Sequence, residues 1–227
     1  MKIRIGVVFA FILLVGCSQK FKDVTKTVKH TFLPSSHASL TAKMHQELPY
    51  AAIYTTVDDQ PRTVMILAEA ESPFFTQSKT LAPRLKWVSQ DHALIVTQTG
   101  RIVSSRKLRD GLLWQRRSEQ PDPLLLGLHL STTPTHWRHH IDWQPNHHYN
   151  EMQLSQFKPQ PIEIITIFQT PQRLKPITEI IQTQQGDLEQ TYWIDPHSGQ
   201  VRKSQQYVTP NGPKIIIEHI KTYGGIV

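Results

Sequence analysis

Leu188-Glu189-Gln190-Thr191-Tyr192-Trp193-Ile194 runs into Asp195-Pro196-His197-Ser198-Gly199 and resumes as Val201-Arg202-Lys203-Ser204-Gln205-Gln206-Tyr207-Val208. Both flanks carry β-branched and aromatic residues, which suit a pleated, half-buried surface. The middle places Asp, Pro, Ser and Gly where a tight reversal needs them. The segment therefore reads as a β-hairpin, and the same wording extends outward in both directions. Strands are predicted over 50–57, 63–70, 85–89, 93–97, 101–107, 149–155, 162–170, 175–183, 188–194, 201–208 and 214–222. Asp58-Asp59-Gln60-Pro61, Gln98-Thr99-Gly100, Gln185-Gly186-Asp187 and Thr209-Pro210-Asn211-Gly212 supply further turns. Antiparallel neighbours need no crossover helix. About eleven short strands joined by hairpin-length loops thus predict an all-β body, a curled antiparallel sheet closing as a barrel-like or sandwich structure over residues 46–227. Asp122 followed by Pro123 predicts one helical turn, with Asp122 as its N-cap.

The 227 residues contain 38% hydrophobic residues, 16 Pro and 10 Gly, an ordinary globular composition. One cysteine, Cys17, excludes an internal disulfide framework, a C-x-x-C zinc site and a dithiol redox pair. Residues 1–16 have the layout of a secretory signal. Lys2 and Arg4 form the basic start, and an apolar run from Ile5 to Val15 follows, too short to span a bilayer. Leu14-Val15-Gly16-Cys17 resembles the lipobox of bacterial lipoprotein precursors, which makes Cys17 the expected lipidated N-terminus of the mature chain. One acyl chain holds a protein only marginally, whereas the three usual for this class make release slow. Ser18 stands where an Asp would resemble an inner-membrane retention signal, so the expected location is the outer membrane, lipid-anchored and facing the periplasm. Residues 17–45 are read as the anchor, a short amphipathic helix over 20–33 with Phe21, Val24, Val28 and Phe32 on one face, and a polar tether. Loss of Lys2 and Arg4 lowers the formal charge from +7 to +5. With no Lys/Arg run interleaved with aromatics, nucleic acid is not an expected partner.

Three stretches carry a resemblance. Leu48-Pro49-Tyr50, then Lys86-Trp87-Val88-Ser89-Gln90-Asp91 with Leu94 to Val103, and Tyr192-Trp193-Ile194-Asp195-Pro196-His197-Ser198-Gly199-Gln200-Val201-Arg202-Lys203-Ser204 resemble the group 4 capsule polysaccharide lipoprotein family of YjbF- and GfcB-like proteins. That resemblance covers most of the chain. It implies an all-β, barrel-like body on a lipid anchor that serves capsule or exopolysaccharide production or export, with polysaccharide or polysaccharide-secretion proteins as partners. It brings no catalytic residues. The segment 73–84 and the histidine-rich middle depart from the family pattern.

Enzymatic signatures are absent: there is no G-x-S-x-G, H-E-x-x-H, P-loop or G-x-G-x-x-G. Asp142, Glu151, Glu163, Glu179 and Glu189 are scattered carboxylates that would have to converge for glycoside hydrolysis. No catalytic residue and no cofactor is predicted. His136, His139, His140, His147 and His148 cluster near Asp142, but spacing alone does not make a metal site, and none is predicted. Protonation of all 12 histidines would carry the mature charge from +5 towards +17 below about pH 6.5, favouring an acidic glycan or lipopolysaccharide. Trp87 and Trp193 are read as core. Trp137 and Trp143, with His139 and His140, are the candidate glycan contacts. Arg101, Arg106, Lys107, Arg109, Arg116 and Arg117 read as a solvated face. The leading expectation is a non-enzymatic outer-membrane lipoprotein. Its rivals are a lipid- or lipoprotein-handling half-barrel, which an apolar cavity would favour, and a polysaccharide-modifying enzyme, which needs two carboxylates in a cleft.

Overall fold

A computed structural model describes residues 40–71, 82–108, 112–144 and 147–224. The signal segment, Cys17, the 20–33 helix and most of the 73–84 segment lie outside the described residues.

The body is all antiparallel β. β1 (Ala52–Val57), β2 (Thr63–Glu71), β3 (Arg84–Val88), β4 (Leu94–Gln98) and β5 (Arg101–Arg106) pair in succession. After β6 (Leu112–Arg117) come β7 (His136–Gln144), β8 (His148–Pro159), β9 (Glu163–Ile167) and β10 (Thr170–Thr183). β11 (Gly186–Ile194), β12 (Val201–Tyr207) and β13 (Lys214–Lys221) complete the chain. The order across the sheet is β5-β4-β3-β2-β1-β13-β12-β11-β10-β8-β7-β6, with β9 paired to the first part of β10 off this path. The opening hairpin is β11–β12, with Tyr192 opposite Ser204.

The sheet curls without closing. Among the described residues no ladder joins its two ends, β5 and β6, yet side chains bridge them. The Ser104 hydroxyl donates to Leu113 O (3.2 Å), and the Leu113 N–H donates to Ser105 Oγ (3.0 Å). The turn into β5 is tight: Gly100 has φ +88°, and a Cβ there would lie 2.5 Å from Val201 Cβ, so only glycine fits.

Two strands, β6 and β7, fall where none was predicted. β7 reads His-Trp-Arg-His-His-Ile-Asp-Trp-Gln, and its inward positions Trp137, His139, Ile141 and Trp143 obey period two only if a histidine is accepted as an interior residue. The predicted 162–170 and 175–183 segments meet instead in a two-residue turn at Phe168 and Gln169, both with positive φ, and β10 starts at Thr170.

Two short helices accompany the sheet. α1 (Ala42–Glu47) is capped by Thr41, whose hydroxyl accepts from Met44 N. It lies where the tether was expected to end, and it is docked. Leu40 and Leu48 are buried, Leu40 N donates to Tyr54 Oη (2.9 Å), and the His45 ring stacks on Phe168 with centroids 4.1 Å apart. α2 (Pro123–Leu126) is the predicted single turn, with the Asp122 carboxylate accepting from Leu124 N (3.0 Å).

Among the described residues, buried apolar side chains form two clusters. The first packs Ile53, Met65, Trp87, Ile95, Ile102, Leu113, Ile141, Trp143, Ile215 and Ile217. The second packs Leu124, Leu128, Trp137, Phe157, Ile177, Tyr192, Ile194 and Val201. Trp87 is the predicted core residue, its indole N–H donating to Thr97 Oγ1 (2.8 Å). Trp193 is only half-buried: it sits on the outer face beside Lys203, and its indole N–H donates to the Glu163 carboxylate.

Candidate functional site

Strand alternation gives β7, β8 and β10 two chemically distinct faces. The outer face forms an open groove of about 1180 Å³. Strand register sets its floor in rows. His136 lies opposite Gln156, which lies opposite Ile180; Arg138 lies opposite Leu154, which lies opposite Gln182; His140 lies opposite Met152. Ser118, Glu119 and Gln120, just after β6, form one wall. Ser118 fixes that wall: its hydroxyl donates to Arg138 O (2.7 Å) and accepts from Trp137 Nε1 (3.1 Å). The result is a shallow, mixed surface of amides, imidazoles and one guanidinium interrupted by single apolar side chains.

The four predicted contact residues do not share this surface. His140 lines the groove, half-buried. Trp137 reaches its edge but is 5% exposed, one ring face stacked on His139 with centroids 4.0 Å apart and the Arg101 guanidinium 4.8 Å from its centroid. His139 is fully buried. Trp143 is 7% exposed, stacked on His148 at 3.8 Å, and its indole N–H donates to Glu151 Oε2 (2.8 Å). Trp137, His139 and Trp143 are therefore interior residues rather than an open sugar-stacking platform, because their inward register on β7 commits their rings to packing.

The inner face of the same strands holds a charged network that the sequence reading misses. Arg101, expected on a solvated face, is 0% exposed. Its guanidinium forks onto the Asp122 carboxylate, and it also donates to Glu179 Oε2 (2.7 Å) and Tyr192 Oη (2.9 Å). Burial alone would lower the Arg101 pKa, but the charges of Asp122 and Glu179 outweigh it and hold the pKa well above the usual value. Tyr192 is pushed well up by burial. Gln206 ties the network to the β4–β5 turn, accepting from Ile102 N (2.9 Å) and donating to Gly100 O (2.8 Å). Alongside, Arg116 meets His139, and the Gln153 amide oxygen lies 2.9 Å from His139 Nε2. Burial and then the Arg101 charge push the Arg116 pKa down to about 10. His139 is driven far below the usual histidine range by burial and by Arg116 and Arg101. His219, buried against Trp87, is lowered to about 4. These two histidines stay neutral in mild acid, so the expected climb towards +17 is not reached by the folded chain. The only sequence signal for the network was Arg101 directly after a tight turn and before an apolar run, which fixes neither its direction nor its partners.

The scattered carboxylates do not converge on the groove. Glu179 is sealed against Arg101, Asp142 accepts from Asn150 N (2.7 Å), Glu151 bonds Trp143 and His148, and Glu163 bonds Trp193. Among the described residues no group of three His, Cys, Asp or Glu side chains could hold a metal ion.

The described residues form a curled, open antiparallel β body with a polar outer groove. Residues 25–220 match the family model described as group 4 capsule polysaccharide lipoprotein GfcB, YjbF, and the chain belongs to that family. It is 26% identical over 198 residues to the uncharacterized lipoprotein GfcB of Escherichia coli (strain K12), covering 86% of this chain and 87% of that one. It is also 26% identical over 209 residues to the uncharacterized lipoprotein YjbF of the same organism, covering 90% and 91%. The crystal structure of the hypothetical lipoprotein YmcC from Escherichia coli (K12) shares the fold, with a TM-score of 0.69 and 21% identity over 91% of this chain and 97% of that one.

Proposed function

We propose that the protein is a non-enzymatic lipoprotein, anchored through acylated Cys17 in the outer membrane and facing the periplasm, that assists capsule or exopolysaccharide production or export by binding the glycan in the β7–β8–β10 groove. The observation that carries this reading is the groove itself. Side chains such as Arg138, His140, Gln156 and Gln182 offer hydrogen bonds to hydroxyls, while Leu154 and Ile180 between them suit sugar C–H faces. Membership of a capsule polysaccharide lipoprotein family points to the same ligand class. Among the described residues lining the groove Glu119 is the one carboxylate, where a hydrolase would need two, and this supports a binding role. Among the described residues, Arg101 and its partners Asp122, Glu179 and Tyr192 place a charged network in the interior beneath the groove, which favours the outer surface as the site.

Calorimetric titration of the detergent-solubilised lipoprotein with surface polysaccharide from the producing strain tests the site. Binding is expected, and it should be lost when Arg138, His140 and Gln182 are all changed to Ala. Absence of binding, or binding unchanged in that variant, contradicts the reading and turns attention to a secretion protein as the occupant. The anchor has its own test. Cys17→Ala should leave unprocessed precursor or soluble protein, and a variant that still fractionates with the outer membrane contradicts it.

A further inference from the structure

The charge along the groove says which glycans it prefers. On the outer face of β7 the side chains at i, i+2 and i+4 are His136, Arg138 and His140, a row spaced about 7 Å apart by the strand rise. Arg138 is exposed, and its guanidinium has no hydrogen-bond or ion-pair partner among the described residues. The residues opposite it, Leu154 and then Gln182, carry no charge. Among the described residues lining the groove, the sole carboxylate is Glu119, on the wall rather than in the row. An exposed guanidinium over a neutral floor, between two imidazoles, is a two-pronged donor for a planar carboxylate.

We infer that the groove selects an anionic glycan, with a carboxylate-bearing sugar seated on Arg138 between His136 and His140. This rests on the glycan reading above and adds the class of sugar. Glu119 faces the same ligand with the wrong sign, so the two charges give opposite, separable effects. Arg138→Gln weakens the bound acid, whereas Glu119→Gln strengthens it, each by about two- to fivefold, the scale of a solvent-exposed charge pair. Both effects shrink as salt rises to about 0.15 M, where the screening length falls to about 8 Å.

The test titrates the full mature lipoprotein in detergent with two probes of equal length, an oligogalacturonate and a neutral maltooligosaccharide. At low salt the acidic oligomer is expected to bind more tightly, with the two single variants shifting its affinity in opposite directions and by more than they shift that of the neutral oligomer. Equal binding of both oligomers overturns the anionic preference while leaving a glycan groove in place. Acidic binding that ignores both substitutions overturns the placement of the carboxylate on Arg138. Failure of both probes, with the fold confirmed by an unchanged melting curve, overturns the glycan reading itself.

Discussion

Around Trp87 the interior is packed by Ile53, Met65, Ile95, Ile215 and Ile217, whereas around Arg101 it is held by Asp122, Glu179, Tyr192 and Gln206. Both central side chains are fully buried. The apolar half gains stability from area removed from water, a non-directional effect that tolerates small changes of shape. The charged half gains little net stability from its ion pairs, because desolvation offsets most of the attraction, but it fixes geometry through directed bonds. That difference has a place in the fold. Every strand under the groove sends a residue into the polar interior: His139 from β7, Gln153 and Ser155 from β8, Glu179 from β10. Arg101 reaches this group from β5, the opposite end of the sheet, and so clasps a body whose ends no ladder joins among the described residues.

The largest effect expected is at that clasp. Arg101→Met should cost about 3–5 kcal/mol in urea unfolding, because Glu179 and Asp122 are left as uncompensated charges. Adding Glu179→Gln should return part of the loss. A double variant whose cost is the plain sum of the singles would break the contrast between coupled and additive halves.

Next comes a pH effect in the apolar half. An unfolded His219 takes up its proton as pH falls through about 6.5, whereas the folded one resists until about 4. Its contribution is therefore full above pH 6.5 and declines below it, by about 3 kcal/mol once pH reaches 4. Denaturation midpoints at pH 7.5 and 5 should converge in His219→Leu relative to the parent, and an unchanged difference would remove His219 from the account. At the seam, Ser105→Ala strands the buried Leu113 N–H and should cost about 1–2 kcal/mol in thermal unfolding. The smallest loss, about 0.5–1.5 kcal/mol, is expected for Ile217→Val in the apolar half, where only a methylene is removed. If that substitution costs as much as Arg101→Met, the division into two halves fails.

The apolar half was legible in the sequence because Val, Ile and Trp at alternating positions can only face a core, as the prediction for Trp87 shows. The charged half was not, since Arg101, Arg116 and His139 are residue types that usually face water. Only the approach of Arg101 on β5 to Asp122, Glu179 and Tyr192 across the curled sheet, a tertiary fact, shows where such residues point. β7 was missed for the same reason, its period two being disguised by His136, His139 and His140. In the candidate site, His140 alone of the four predicted contacts lies open in the groove, while Arg138, which no motif or spacing singles out, lies in the middle of its β7 row.

The central claim joins an anchored chain to a glycan groove, and surface polysaccharide is its direct readout. A strain lacking the gene should lose surface polysaccharide and regain it with the parent chain. It should not regain it with Cys17→Ala, nor with a chain in which Arg138, His140 and Gln182 are all Ala, provided that chain is present at parental levels. Full restoration by both altered chains would contradict the account.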